Sequence, residues 1–422
     1  MNIRLEAVIL TCVGLACLAL ADGARAAELV SIAPDPTAGM SQAVVVDRSS
    51  PLVFTEQLLS RDPEDRSADD PGQQIRMLFE RLDRTLSAAG TSPDRVAKLN
   101  FYVASTELAA RVRGELAKRY HNAKTLPAVS FVQTRLPNPR ALVGVDAVAC
   151  TDQASATKYL NEYWSDYFTA RDAKKPATGE MPAARRRHFS MLLVPKAPIA
   201  FISGDAKPGD LPAATTATLE SLDATLKSLP ISRENVVQVK CFLQPMSRAA
   251  EVRQRIDAFF SPIPTPPVVM VEWTMKGPIE IELIAYEDRP HQPSPTGDVN
   301  YFTPPGMKPS PVFSRVTMAS APKLIYFSGL YSDGAGDGAA QVSSIFDQLG
   351  KLLPQTGSDF RHLAKATYYV SDDDASNQLN AMRPKYYDPA RPPAASKAPV
   401  AGVAKAGRTI TLDMIAVPPI GK

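Results

Sequence analysis

The sequence predicts an α+β fold made of three tandem two-layer domains, each with two helices on one face of a mixed β-sheet. Three observations predict this fold. Three stretches share one order of elements, and they begin near Ser41, Phe189 and Phe313. Each continues with an amphipathic helix, a strand, a second helix and a closing pair of strands. Each helix carries one apolar stripe, which needs a sheet to cover it. The repetition therefore predicts one architecture used three times.

The elements of each repeat follow from apolar periodicity. In repeat 1 we expect helices over 70–90 and 108–120, and strands over 96–103, 130–132 and 141–149. In repeat 2 we expect helices over 214–229 and 249–260, and strands over 236–243 and 279–286. In repeat 3 we expect helices over 339–353 and 376–387, and strands over 362–370 and 408–417. Leu78, Leu82 and Leu86 illustrate the apolar stripe of one such helix.

The domain boundaries follow from these repeats and from the segments between them. We divide the chain into a signal peptide (1–26), repeat 1 (39–150), an aromatic helical linker (151–187), repeat 2 (188–288), a Pro-rich linker (289–311) and repeat 3 (312–419). In the first linker Tyr159, Tyr163 and Tyr167 form a helical stripe that either packs on a neighbouring domain or covers a ligand pocket. The prolines of the second linker predict a stiff spacer.

Composition limits the class of function. The chain has 422 residues, a net charge of +3, and 45% hydrophobic and 22% charged residues, which is typical of a soluble globular protein. The small net charge is spread along the chain, which argues against nucleic acid as a partner.

The N-terminus is typical of an exported protein. Ala7–Leu20 is almost wholly apolar, and Ala24-Arg25-Ala26 offers a cleavage site with small residues. The apolar run is shorter than the roughly 20 residues that span a bilayer, although an uncleaved anchor stays open. We expect a periplasmic or extracellular location and no membrane span after signal removal.

The motifs of the repeats resemble those of the RidA superfamily, also called the YjgF or L-PSP endoribonuclease family. The resemblance covers most of the chain and is carried by Ser41–Val44, by the first helix of repeat 1, and by Leu142–Ala149 as an end strand. The Ser-Gly pairs at Ser203-Gly204 and Ser328-Gly329 add to it. It implies chorismate mutase-like domains, which in this family assemble as trimers with ligand sites at their interfaces.

Three copies in one chain therefore suggest a single-chain pseudo-trimer, which needs no further oligomerisation. Separate domains along the chain, or pairing between chains, are the alternatives that the sequence leaves open.

The resemblance also implies a chemistry, the hydrolysis of enamines and imines without a metal or organic cofactor. It places a carboxylate-binding arginine in a Pro-Ala-Arg-Ser-like motif, where a guanidinium fork suits the substrate carboxylate. This chain has Val129, Val268 and Ala395 at the three matching positions, and the looser match in repeat 3 also brings Ser396 or Lys397 into question. Valine cannot hold a carboxylate, so we expect amino-acid-derived substrates to bind poorly.

The second functional group that the family uses is an acid in the last strand, and all three repeats of this chain have an acid there. Asp146, Glu282 and Asp413 take the position of an acid in the last strand, which the resemblance implies positions water and relays a proton. The alternative is a structural acid, bonded to backbone N–H groups or to a basic residue of the next repeat, since an acid amid apolar residues needs a partner.

Substitutions in the second helices offer further candidate ligand contacts. Repeats 1 and 2 place Arg113 and Arg253 where many members carry an asparagine, and repeat 3 keeps Asn380. These arginines either supply a relocated anion contact or face solvent. The four histidines are not spaced as metal ligands, so we expect no metal and no cofactor. Cys150 and Cys241 lie on apolar strand patterns, which favours two buried free thiols over a disulfide.

Three functional hypotheses result. The first is an exported, triplicated RidA-like protein that binds a small molecule or a partner and has lost deaminase activity, a pseudoenzyme. The second is an active hydrolase of this superfamily with an altered substrate. The third is a structural or interaction module.

Overall fold

The chain has a mixed α+β fold in which three similar sets of elements follow one another. The computed structural model describes residues 29–60, 70–152, 188–229, 231–288 and 298–419. The predicted signal peptide and the tyrosine stripe at Tyr159, Tyr163 and Tyr167 lie outside these residues. Among the helices described, none is long and apolar enough to cross a membrane.

Repeat 1 contains seven main elements and two additions. Its elements are β1 (Leu29–Asp35), β2 (Met40–Asp47), β3 (Leu52–Thr55), β4 (Leu58–Leu59), α1 (Pro71–Ala88), β5 (Val96–Val103), α2 (Thr106–Arg119), β6 (Ala128–Gln133) and β7 (Val143–Cys150). The helix α1 begins where Asp70 accepts a hydrogen bond from the Gln73 backbone N–H, as an N-cap does. Strands β1 and β4 are the additions to the predicted pattern.

Repeat 2 contains the same series without additions. Its elements are β8 (Met191–Val194), β9 (Ile199–Asp205), α3 (Leu211–Ser228), β10 (Val236–Leu243), α4 (Ala249–Phe260), β11 (Val268–Glu272) and β12 (Ile279–Tyr286). β10, α4 and β12 have the bounds that apolar periodicity predicts.

Repeat 3 differs from the prediction in two places. Its elements are β13 (Val299–Phe302), β14 (Val316–Ala319), β15 (Lys323–Phe327), α5 (Gly338–Gln355), β16 (Leu363–Val370), α6 (Asp373–Met382), β17 (Ala394–Pro399) and β18 (Ile410–Ala416). We predicted a helix as far as Tyr387, but α6 ends at Met382 because Pro384 cannot continue a helix. Strand β13 lies in the segment predicted as a spacer. It pairs with β14, since Val299–Phe302 contains no proline to interrupt the hydrogen bonds.

Strands of different repeats pair with one another in cyclic order. The second opening strand of each repeat pairs antiparallel with the first opening strand of the next repeat: β3 with β8, β9 with β14, and β15 with β2. The strands form one twelve-stranded sheet and one six-stranded sheet. Each repeat therefore contacts both others through backbone hydrogen bonds.

The buried core is divided in the same way. One apolar cluster per repeat lies between its helices and its sheet. Two further clusters draw on all three repeats. One of them contains Tyr102, Phe242 and Tyr369, which hold the same position in β5, β10 and β16. Phe242 meets Tyr369 edge to face, with ring centroids 6.3 Å apart. The repeats are thus packed against one another on the faces of their sheets away from the helices.

Candidate functional site

The cyclic pairing creates three comparable junctions, at which the end of the second opening strand of one repeat meets the penultimate strand of a neighbouring repeat. We name them by the repeats they join. Junction 1/2 places Thr55–Gln57 beside β11, junction 2/3 places Ser203–Asp205 beside β17, and junction 3/1 places Ser328–Leu330 beside β6. The Gln57 N–H donates to the Val268 carbonyl at 3.1 Å, and the Gly329 N–H donates to the Val129 carbonyl at 3.1 Å. These are the places where the family resemblance puts ligand sites.

The Ser-Gly pairs bind the neighbouring strand directly. The Ser203 hydroxyl accepts a hydrogen bond from the Ala395 N–H at 2.7 Å, and the Ser328 hydroxyl accepts one from the Val129 N–H at 2.7 Å. At junction 1/2 a threonine and a glutamate replace the pair, and the Thr55 hydroxyl accepts a bond from the Ala147 N–H instead. The hydroxyls of the two Ser-Gly pairs are therefore committed to backbone contacts between repeats.

The positions predicted to bind a substrate carboxylate are apolar. Val129 and Val268 are buried in the helix-facing cores of repeats 1 and 2. Ala395 is only partly buried and packs at the edge of the repeat 3 core. None of these three side chains can donate a hydrogen bond, so no carboxylate can be held at these positions as an arginine would hold it.

Two of the three acids of the last strands contact a lysine of the following repeat, and the third is bound within its own repeat. Glu282 Oε2 lies 2.9 Å from Lys365 Nζ, and Asp413 Oδ1 lies 2.8 Å from Lys98 Nζ. Asp146 instead accepts hydrogen bonds from Asn100 Nδ2 at 2.9 Å and from the Tyr102 hydroxyl. Each acid therefore has polar partners, which a carboxylate amid apolar strands requires.

The electrostatics of this region couple all three repeats. Burial raises the pKa of Asp146, and the charge of Lys240 opposes that rise. Burial lowers the pKa of Lys98, and Asp413 opposes that fall. For Lys240 burial again disfavours the charge, but nearby Tyr369 and the acids of all three repeats outweigh it and raise the pKa. These lysines and acids form one connected cluster.

Junction 3/1 is filled by a loop of repeat 3. Arg113 stacks over the Phe131 ring, with its guanidinium carbon 4.1 Å from the ring centroid. Both terminal nitrogens of Arg113 donate to the Ala404 carbonyl, at 3.3 and 3.2 Å. Ala404 is buried in the helix-facing core of repeat 1 and has a left-handed φ of 55°. Beside it the Tyr331 hydroxyl donates to the Val403 carbonyl at 2.8 Å. The relocated arginine of repeat 1 thus binds the protein's own backbone.

Junction 1/2 contains acids of its own. Glu56 stands where the other junctions have glycine, and burial raises its pKa to about 7, opposed by the charge of Arg253. Arg253 Nε donates to Asp257 Oδ1 at 3.0 Å, and His188 Nδ1 lies 3.2 Å from the same oxygen. Arg253 is therefore also satisfied from within the chain.

Junction 2/3 has a different set of side chains. Lys397 Nζ donates to Ser376 Oγ at 2.9 Å and to Asn380 Oδ1 at 3.3 Å. A Cβ added to Gly204 would overlap the carboxyl group of Glu280, so the Glu280 side chain would have to shift to admit any other residue. Burial raises the pKa of Glu280 to about 7, and the nearby Ser396 side chain opposes that rise. Burial and the charge of Arg383 lower the pKa of Lys397.

The sequence analysis missed several of these groups. Lys98 and Lys365 are the third residues of β5 and β16, and this shared position in two largely apolar strands was a usable signal. Glu280 precedes Glu282 by two residues, so strand alternation places both on one face. The contact of Ala404 with another repeat had no signal in its own sequence.

Within the described part of the chain, no three or more histidine, cysteine or acidic side chains are grouped so that they could hold a metal ion. Cys150 and Cys241 are buried, free, and lie in different apolar clusters.

Comparison with known proteins identifies the family. A family model described as endoribonuclease L-PSP matches residues 30–151 and 194–287, just over half of the chain. No curated protein matches. A YjgF-family protein from Neisseria meningitidis is similar at 24% identity, over 29% of this chain and 95% of that one, with a TM-score of 0.22. A conserved Rid-family protein of unknown function from Yersinia pestis, YyfB, is similar at 24% identity, over 27% and 88%, with a TM-score of 0.24. The family match shows that the chain belongs to the endoribonuclease L-PSP family, the RidA superfamily that its motifs resemble.

Proposed function

We propose that this protein is an exported, single-chain RidA-type pseudo-trimer that binds a small molecule and has lost the deaminase activity of its family. We infer the loss of activity from one observation. Val129, Val268 and Ala395 stand where the family has its substrate-binding arginine. A hydrogen bond to a charged group contributes about 1.5–3 kcal/mol, and a guanidinium makes two of them to one carboxylate. Without that contact an amino-acid-derived imine has no anchor at the family's position.

The pairing of the acids supports the same proposal. A carboxylate that positions water needs a free lone pair directed at the substrate. Glu282 is bound to Lys365, which also donates to Thr367 Oγ1 at 2.8 Å, and its side chain is 3% exposed. Asp413 is bound to Lys98. A structural role for these acids, joining each repeat to the next, accounts for their burial and their partners.

The pseudo-trimeric arrangement is supported by the order of strand pairing. Three repeats whose opening strands pair head to tail, with the third repeat returning to the first, form a closed ring. We expect light scattering to give the mass of one chain and small-angle scattering to give a compact particle. An elongated particle would contradict the arrangement.

Export rests on the N-terminal sequence alone. The apolar run Ala7–Leu20 and the small residues after it support a cleaved signal. Cell fractionation with sequencing of the exported protein's N-terminus tests this, and a cytoplasmic full-length chain would contradict it.

A second candidate is an active hydrolase with an altered substrate. Glu280 favours it, because an acid with a pKa of about 7 suits proton transfer near neutral pH, and Lys397 lies on the strand that faces it.

The decisive experiment measures hydrolysis of freshly generated 2-iminopropionate by the chain from residue 27 onward and by Ala395→Arg. Ala395 is partly exposed, so the new guanidinium can reach a ligand at junction 2/3. We expect the wild type to match the buffer rate and Ala395→Arg to exceed it. Val129→Arg is the matched control, which we expect to remain silent because Ala404 and Arg113 fill its junction. Hydrolysis by the wild type would favour the second candidate. A folded but silent Ala395→Arg would show that arginine loss does not explain the lost activity.

A further inference from the structure

The three junctions differ in which groups accept hydrogen bonds from their cationic side chain. At junction 3/1 the cation is Arg113, which binds the Ala404 carbonyl and the Phe131 ring. At junction 1/2 it is Arg253, which binds the carboxylate of Asp257. Both cations are thus provided with an acceptor that belongs to the chain.

At junction 2/3 the cation is Lys397, and its two hydrogen-bond partners are neutral. Ser376 supplies a hydroxyl oxygen and Asn380 an amide oxygen. An ammonium group has three donors, so one N–H of Lys397 remains for a further acceptor. Lys397 is only partly buried, which leaves that donor within reach of solvent. Its charge is therefore available in a way that the charges of Arg113 and Arg253 are not.

The surrounding charges favour an anion at this place. Arg383 acts on Lys397 as a second positive charge, and its guanidinium carbon lies 5.6 Å from the centroid of the Tyr368 ring. Glu280 is the acid that acts on Lys397. It lies near Ser396, whose side chain alternates to the opposite face of β17 from Lys397. Two cations thus share the helix-facing side of the strand with neutral polar groups.

The lengths of two connecting loops explain why Lys397 is not covered at junction 2/3. The connection between β17 and β18 runs over residues 400–409, and it buries Val403 and Ala404 against repeat 1. The corresponding connection between β11 and β12 runs only over residues 273–278. Its Thr274 N–H donates to the Pro399 carbonyl at 2.9 Å, at the end of β17, and so it meets β17 beyond Lys397.

We propose that the protein binds one small anionic molecule per chain, at junction 2/3, with Lys397 as the side chain that receives the negative charge. This inference rests on the proposed binding function and adds its stoichiometry, place and ligand charge. A carboxylate and a phosphate can both accept a hydrogen bond from the Lys397 ammonium group. The binding experiment below distinguishes between these two classes of anion.

The test is calorimetric titration of the chain from residue 27 onward with pyruvate and, separately, with inorganic phosphate. We expect one equivalent of one of these anions to bind, and Lys397→Gln to weaken its binding about tenfold or more. Lys405→Gln is the matched control, because Lys405 carries the same charge at junction 3/1, where it lies over the Tyr331 ring. We expect Lys405→Gln to change affinity by less than about twofold. Lys397→Arg, which keeps the charge, should retain binding and shows that a loss in Lys397→Gln is not misfolding.

Several results would overturn the inference. These are three equivalents per chain, unchanged binding in Lys397→Gln, a larger loss in Lys405→Gln, or no binding of either anion at about 10 mM. A parallel assay of 2-iminopropionate hydrolysis separates the two proposals. Turnover by the wild type would contradict the lost activity, whereas stoichiometric binding in Lys397→Arg and not in Lys397→Gln would still support the anion site.

Discussion

Junctions 3/1 and 2/3 are built by the same strand pairing and a Ser-Gly pair in the same place, yet a loop fills the first, whereas Lys397 stays partly exposed at the second. At junction 3/1 a ten-residue loop places Ala404 under Arg113, whereas at junction 2/3 a six-residue loop leaves Lys397 with neutral partners. Backbone hydrogen bonds hold the strands of each junction together, so the side chains within a junction can change without disturbing the strand pairing. In a homotrimer three sites must change together, but in one chain each can change alone.

The same two junctions also differ in their buried ion pairs. At junction 2/3 the Lys365 and Glu282 side chains are 8% and 3% exposed, whereas at junction 3/1 the Lys98 and Asp413 side chains are 3% and 14% exposed. Removing one partner of a buried pair leaves an uncompensated charge, and the cost depends on how well water can reach that charge. The acid of junction 2/3 is the less accessible of the two.

The largest effect is therefore expected from Lys365→Met. It leaves Glu282 buried without its cation, and we expect it to lower the free energy of unfolding by about 3–5 kcal/mol. Lys98→Met is the comparison, and we expect a smaller loss because the carboxylate of Asp413 is partly hydrated. Denaturant unfolding of both variants measures the difference. A double variant, Lys365→Met with Glu282→Met, should recover most of the loss. Equal losses in the two single variants would show that accessibility does not distinguish the junctions.

The next effect concerns the loop that fills junction 3/1. Arg113→Met removes two hydrogen bonds to the buried Ala404 carbonyl and the stacking on Phe131, so we expect a loss of about 2 kcal/mol. Hydrogen exchange of residues 401–405 should accelerate in this variant. Arg111→Met, on the exposed side of the same helix, should change stability by less than about 0.5 kcal/mol. Unchanged exchange in Arg113→Met would mean that the loop is held by its apolar contacts alone.

The sequence could predict the repeated frame but not the contents of the junctions. Helices and strands were predictable because their apolar periodicity is local, and α4 and β12 have the expected bounds. The valines at the arginine positions were also visible from aligned motifs. The occupation of junction 3/1 was not, because Ala404 and Arg113 are 291 residues apart and neither has an unusual neighbour in sequence. The sequence also allowed a basic residue of the next repeat as the partner of each last-strand acid. It did not identify Lys98 and Lys365 as those partners.

The smallest effect extends the comparison to junction 1/2, where Glu56 replaces glycine. Burial raises the pKa of Glu56 from its ordinary value to about 7, so the folded state holds its proton at a pH where the unfolded chain has released it. The stabilisation from this group is fully present below about pH 4.5 and is lost as the pH rises towards 7.

The Glu56→Gln variant carries no charge at this position, so its stability does not fall in this way as the pH rises. Because Glu56 is partly exposed, we expect its stability advantage over the wild type to grow by only about 1–2 kcal/mol between pH 5 and pH 8. Glu220→Gln, on an exposed helix position, should show no such growth. A pH-independent difference for Glu56→Gln would mean that Arg253 keeps Glu56 ionised throughout. Junction 1/2 would then be closed by an ion pair, as junction 3/1 is closed by a loop.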